Sequence, residues 1–238
     1  MGSADEITIQ RGYYRRTASL YDEMHVQEAG EHDFALAFLI GMIDQLGIES
    51  VLDIGSGTGR ALLRIETAKP HVRVVGVEPV AELREIGYSK GLRKDTLIDG
   101  DAVDLKFADN SVDVVCEFGV LHHVPNPSKA IAEMLRVARK AVFISDCNNF
   151  GQGNLAGRMA KQILRGLRLW KVADFVKTRG RGYILSEGDG LAYSYSVFSD
   201  YDMIARQCKR VHLLNTTPSG RNFYRSASHV ALLGVKSG

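Results

Sequence analysis

Between residues 50 and 146, short runs of β-branched and aliphatic residues alternate with stretches whose apolar positions recur every three or four residues. The runs VLDI (51–54), VRVVGV (72–77), TLID (96–99), VDVVCE (112–117) and AVFIS (141–145) predict buried strands, being short and nearly continuous in apolar character. The stretches RALLRIETA (60–68), AELREIGYS (81–89) and SKAIAEMLRVAR (128–139) predict helices between them. Strand and helix in alternation give right-handed βαβ units, hence an α/β fold around a parallel sheet.

The flanks read differently. Residues 13–47 predict helix; in EHDFALAFLIGMIDQLG the side chains of Phe34, Ala37, Phe38, Met42 and Leu46 share one face, and Gly47 is suited to the cap. Residues 147–199 read as irregular, with GQGN, TRGRGY and EGDG clusters around one basic helical stretch. Ser199-Asp-Tyr-Asp202 resembles a capping box opening a helix. VHLLNT (211–216) and HVALLGV (229–235) predict strands, and the link through Pro218-Ser-Gly220 is too short for a crossover helix, so they form an antiparallel hairpin. We therefore expect a single unit: a helical cap (1–47), a core (48–146), an insert (147–200), and a terminal helix and hairpin (201–238).

Composition narrows the classes. The chain has 238 residues, 45% hydrophobic and 24% charged, which suits one globular α/β domain with an appendage. With 30 basic against 28 acidic residues there is no overall field toward nucleic acid, so a nucleic-acid partner is not expected. Cys116, Cys147 and Cys208 include no C-x-x-C, which argues against a zinc cage or disulfide framework and for a reducing, cytoplasmic setting without a metal. MGSADEITIQ lacks the order of a signal peptide, Glu6 stands where a myristoylation motif has Ser or Thr, and FALAFLIGMI (34–43) is too short to span a bilayer.

The chemistry starts at VLDIGSGTGR (51–60). No lysine follows these glycines, so this is not a triphosphate loop, and Arg60 takes the place of the third glycine of a dinucleotide fingerprint. Gly55 and Gly57 let the backbone approach a ligand, and the next helix offers free N–H groups. Asp53 at the end of a buried strand is costly unless it has a role. Glu78, before Pro79, ends the second strand, where a carboxylate can accept two ribose hydroxyls. Asp101 and Ala102 lie on the cleft rim, where the acid suits an adenine amino group or equally a turn. Cys116 reads as a core thiol.

VDVVCEFGVLHHVPNP follows. In the glycine motif, the acid after strand two, Asp-Ala after strand three, LHHV after strand four and the terminal hairpin, the chain resembles a class I S-adenosylmethionine-dependent methyltransferase of the small-molecule or glycan type. That resemblance implies a Rossmann-like, mostly parallel seven-stranded sheet and S-adenosyl-L-methionine as donor, with S-adenosyl-L-homocysteine as product. It implies that Asp53 orders the glycine turn, that Gly55, Ser56 and Gly57 flank the methionine, and that Glu78 beside Pro79 holds the ribose. Asp101 and Ala102 would face the adenine, and Glu117 and Phe118 would line the pocket. Tyr21, with Tyr13 and His25, would cap the donor.

Methyl transfer is an in-line displacement at carbon, so the protein must align the acceptor and deprotonate it if it is a hydroxyl. His122 and His123 follow strand four and Asp146 ends strand five, where parallel strands open on one cleft. We expect His122 paired with Asp146 as base, with His123 as the neighbouring candidate; the alternative is that LHHV only shapes the cleft. EFGV replaces the N-P-P-Y type segment of amino-methylating enzymes and no cysteine follows a proline. An oxygen of a small molecule, sugar or glycan therefore leads and nitrogen comes second; a non-catalytic donor-binding regulator is the alternative class, and a nicotinamide oxidoreductase is disfavoured by Arg60.

Residues 158–181 hold eight basic residues and one acid, Asp174. Arg158, Lys161, Arg165 and Arg168 would share one helical face and Ile163, Leu167 and Trp170 another. The readings are a solvated basic face over core contacts, shallow membrane contact, or an anionic acceptor, which we expect. Tyr183, Tyr193 and Tyr195 would belong to a substrate lid.

Overall fold

The computed structural model describes residues 3–26, 30–218 and 220–236; Gly2, and Ser219 in the hairpin link, lie outside them. The chain begins with helices α1 (Ser3–Thr17), α2 (Tyr21–His25) and α3 (Glu31–Gln45). Then β1 (Ser50–Ile54), α4 (Arg60–Ala68), β2 (Arg73–Val77), α5 (Ala81–Ser89), β3 (Leu97–Ile98), β4 (Val112–Phe118), α6 (Pro127–Val137) and β5 (Ala138–Cys147) alternate. Among the described residues these strands, with β8 (Arg210–Asn215) and β9 (His229–Val235), form a seven-stranded sheet in the order β3-β2-β1-β4-β5-β9-β8. β1 to β5 pair in parallel, and β9 runs antiparallel to β5 and β8.

The order reverses between β1 and β4, so their carboxyl ends splay a crevice open, the place where such sheets bind ligands. The middle of the sheet is dry: β1 is buried along its whole length and β4 along all but its last residue. Each face is covered by an apolar cluster, one around Ile131, Met134, Leu135 and Ile144, the other around Leu36, Leu39, Ile43, Leu62 and Phe143.

Several expectations are corrected. In α3 the buried face is Ala35, Leu36, Leu39 and Ile43, while Phe34 is 51% exposed. Its sequence is apolar nearly all round, so spacing alone left the rotation open. The helix expected to reach residue 139 ends at Val137, because Ala138 pairs with Val112 and starts β5. The terminal helix α9 (Tyr201–Gln207) has no side-chain cap from Ser199; Ser196 instead accepts from the Phe198 amide in the preceding 3-10 turn. The stretch 147–199, expected to be irregular around one helix, holds α7 (Leu155–Gly166), α8 (Trp170–Lys177) and a separate hairpin of β6 (Tyr183–Ser186) and β7 (Gly190–Tyr193).

This hairpin packs on α1. The Tyr13 hydroxyl donates to Glu187 O at 2.7 Å, the Tyr193 hydroxyl to Glu6 at 2.9 Å, and the Leu191 amide to Gln10 Oε1 at 2.5 Å. Cap helix and insert thus pack on each other beside the crevice, and both contribute residues that line it.

Candidate active site

The glycine turn is built for close approach. Gly55, Gly57 and Gly59 all have positive φ. A Cβ on Gly55 would meet Val120 at 2.5 Å, and one on Gly57 would meet the Tyr21 hydroxyl at 2.5 Å. Side chains are excluded there by geometry as well as by backbone conformation.

Glu78 ties the turn together. Its Oε2 accepts from the Gly57 amide at 3.0 Å and its Oε1 from the Val80 amide at 2.9 Å. Burial pushes its pKa up to about 7 against the pull of these amides. Asp53 is also driven up to about 7 by burial, and its Oδ1 lies 3.7 Å from the Cys116 thiol. The Ser56 hydroxyl donates back to the Asp53 carbonyl at 2.9 Å. α2 is moored to the same turn, with Thr58 Oγ1 donating to Asp22 at 2.5 Å.

Three chambers open along the crevice. The first encloses about 860 Å³, part of it open to solvent, and is lined by Glu78, Pro79, Asp101, Ala102 and Phe118 among others. The second, about 630 Å³, is lined by Asp53, Gly55, Ser56, His25, Phe118 and His122. Tyr14 and Tyr21 wall both and meet edge to face, with centroids 5.7 Å apart. The third, about 1060 Å³, lies beyond His122 and is bounded by Asn149, Lys177, Ile184, Tyr193, Tyr195 and His229. His32, His122 and Asp189 border both the second and the third.

His122 therefore stands where two spaces meet. Its Nδ1 lies 2.7 Å from Asp146 Oδ1, and its backbone amide donates to Asp146 Oδ2 at 3.2 Å. On its other side Nε2 is 3.5 Å from Asp189 Oδ2. Burial disfavours the charged imidazole, but the two carboxylates outweigh it and push its pKa up to about 10. Both acids are held well below the usual carboxylate range, the attraction of His122 overcoming their own desolvation. His123 behaves oppositely: burial and the neighbouring His122 lower its pKa, its Nδ1 faces Leu191 O at 2.6 Å, and its Nε2 faces the Tyr14 hydroxyl at 3.0 Å. The imidazole of His122 thus sits between two carboxylates that favour its charged form, whereas burial favours the neutral form of His123 although its Nε2 also meets Asp189 Oδ1 at 3.3 Å. His122, His123 and Asp189, and separately His122, Asp146 and Cys147, bring ligating atoms within 4.8 Å, close enough to share a cation.

Most of the candidate residues read from the sequence converge here; Asp146 reaches the site through His122, and Tyr183 is buried in the hairpin outside the chambers. Glu117 is buried behind the pocket wall, its carboxyl accepting from the Ser145 amide at 2.9 Å and the Val120 amide at 2.8 Å, and it lines none of the three chambers. Gly57 lies beneath Tyr21 rather than in a chamber wall. Tyr13 packs against the hairpin, and Tyr14 takes the place expected of it. Asp101 is on the rim, but its Oδ2 pairs with Arg11 at 2.8 Å and its Oδ1 accepts from the Val103 amide at 3.1 Å. Sequence reasoning missed Arg11, Tyr14, His32 and Asp189. For Asp189 the only signal was its EGDG cluster, which marks a turn and not where the turn docks.

A sequence profile for a methyltransferase domain matches residues 52–144. The chain carries a methyltransferase domain of class I fold. The methyltransferase domain is 37% identical over 91 residues to an uncharacterized methyltransferase of Mycobacterium avium (strain 104), covering 38% of this chain and 35% of that protein. It is 37% identical over 89 residues to a demethylmenaquinone methyltransferase of Roseiflexus sp. (strain RS-1), covering 37% of each. The matched stretch thus spans little more than a third of these relatives' length. Over the whole fold the structure resembles a magnesium protoporphyrin IX methyltransferase from Synechocystis PCC 6803 with bound S-adenosylhomocysteine, at a TM-score of 0.62 and 18% identity, covering 97% of this chain and 99% of that one. Methyltransferases of this class take S-adenosylmethionine as donor. The residues present fit that group: a side-chain-free turn beside two acids at the ends of neighbouring strands.

Proposed function

We propose that the chain methylates an oxygen of a small organic acceptor, with the donor in the first and second chambers and the acceptor in the third. The observation that carries this reading is the position of His122, which borders both spaces while Asp146 fixes its Nδ1. Glu78 would hold the ribose, Asp101 and Ala102 the adenine, and the turn at Gly55 the amino-acid end. The donor supplies a methyl carbon made electrophilic by a sulfonium.

In the resting arrangement His122 carries its proton between two carboxylates. An acceptor hydroxyl arriving from the third chamber takes the place of Asp189 at Nε2. With one carboxylate gone the imidazole gives up its proton to solvent, and Nε2 then accepts the hydroxyl proton while Asp146 keeps the ring aligned. His229, on the third chamber's wall, has a buried Nε2 without a hydrogen-bond partner among the described residues, which suits a polar group on the acceptor. The names of the two relatives, a demethylmenaquinone and a magnesium protoporphyrin IX methyltransferase, support a small organic acceptor over nucleic acid.

A methyl-labelled donor assay across phenols, sugars and lipid-linked glycans tests this. A labelled methyl on oxygen supports it. A label on nitrogen replaces the acceptor atom, and donor binding without turnover of any acceptor favours a regulatory protein.

A further inference from the structure

Helix α7 is inside out. Leu155, Met159, Ile163 and Leu167 recur at every fourth position and each is 55–65% exposed. The opposite face, which meets the protein, carries the charges. Lys161 donates to the carbonyls of Asn149 and Gln152, and the Arg165 guanidinium lies over the rings of Phe150 and Tyr224 at 4.6 and 4.7 Å. The reading of a solvated basic face over core contacts is thus reversed. Arg168, expected on that face, lies past the helix end with φ of +60°. α8 continues the apolar surface with Val172, Phe175 and Val176, and Leu169 joins the two helices.

Around this surface lie Arg168, Lys171, Lys177, Arg179 and Arg181, all exposed. The stretch's one acid, Asp174, is engaged by the Ser194 hydroxyl at 2.5 Å. An apolar face rimmed by cations on a short helical pair is what lies flat in the headgroup region of an anionic bilayer. No helix among the described residues is long and apolar enough to cross one. A second copy of the chain is a poor occupant, since a two-fold contact sets this face against itself, cation to cation.

We infer that α7 and α8 dock on an anionic lipid surface and that the acceptor enters the third chamber from that surface. The second half rests on the proposed function and on what lines the chamber. Lys177 at the end of α8 and the exposed Ile184 of β6 both line the third chamber, so its mouth opens beside the cationic rim of that face. Of the basic residues in 158–181, Lys177 alone lines that chamber. The others hold the body or face outward, which suits a surface better than a bound anionic acceptor.

The test is flotation of the full chain with phosphatidylcholine vesicles with and without phosphatidylglycerol, and no methyl donor. The expected result is flotation with phosphatidylglycerol and weak flotation without it. The double variant Ile163→Glu/Phe175→Glu loses vesicle affinity by at least about tenfold, because charges replace the inserted side chains, with its melting temperature and donor affinity unchanged. Absence of flotation on anionic vesicles overturns the proposal. So does a wild-type dimer, seen by ultracentrifugation without lipid, that this double variant renders monomeric. Donor binding, measured by dialysis, reports on the methyltransferase reading separately.

Discussion

Asp189 faces the Nε2 of His122 at 3.5 Å, from a hairpin turn the sequence places far from it. With Asp146 on Nδ1, it makes His122 a cation held between two anions. The folded pKa of about 10 lies above the ordinary histidine value. The stabilisation from this shift is therefore complete below about pH 6.5 and lost as pH rises through about 10. Asp189→Asn removes one anion, so the stabilisation should be smaller and gone at lower pH, and the rising limb of activity, set by deprotonation of His122 as base, should move to lower pH too. Thermal melts and rate profiles of the two proteins across that window check this; superimposable curves would contradict it.

Asp146→Asn leaves an imidazole without its aligning anion. The expected loss in kcat is about 10²- to 10⁴-fold, the range for a positioned general base. Breaking a buried pair also costs stability, on the order of 3 kcal/mol. Donor affinity, measured by calorimetry, should change little, because Asp146 lines neither of the two chambers assigned to the donor.

Gly57→Ala would drive a Cβ into the Tyr21 hydroxyl at a φ of +55°. We expect at least about a tenfold loss of donor affinity, from strain of about 1 kcal/mol together with displacement of the tyrosine. Gly41→Ala is the control, in an exposed part of α3 with nothing within 4 Å. It should raise stability by about 0.5–1 kcal/mol without touching donor binding.

Glu78→Gln presents an NH₂ to one of the two amides its carboxylate now accepts. One buried N–H then loses its partner, at a cost of about 1–3 kcal/mol. Chemical denaturation should show that loss, and donor affinity should fall with it.

Much of the fold was legible, for a physical reason. Strands such as 112–117 are buried on both faces, so their runs are apolar but for Asp113 and Glu117, and α4 and α5 carry one apolar stripe each, so their limits matched residue by residue. α3 and α7 failed together. Spacing shows that a helix has two faces but not which one meets the body, and α7 turns its aliphatic side outward. In the site, the glycines and Glu78 were readable because backbone approach and strand ends constrain residue type locally. Asp189 was not, because its role comes from a hairpin docking on α1, a long-range contact that leaves no local pattern.

The account depends on the crevice over β1 and β4 accepting S-adenosylmethionine. Equilibrium dialysis of the folded chain against the labelled donor tests it most directly. One site per chain, emptied by S-adenosylhomocysteine and weakened in Gly57→Ala, is the expected result; folded protein that retains no label would contradict it.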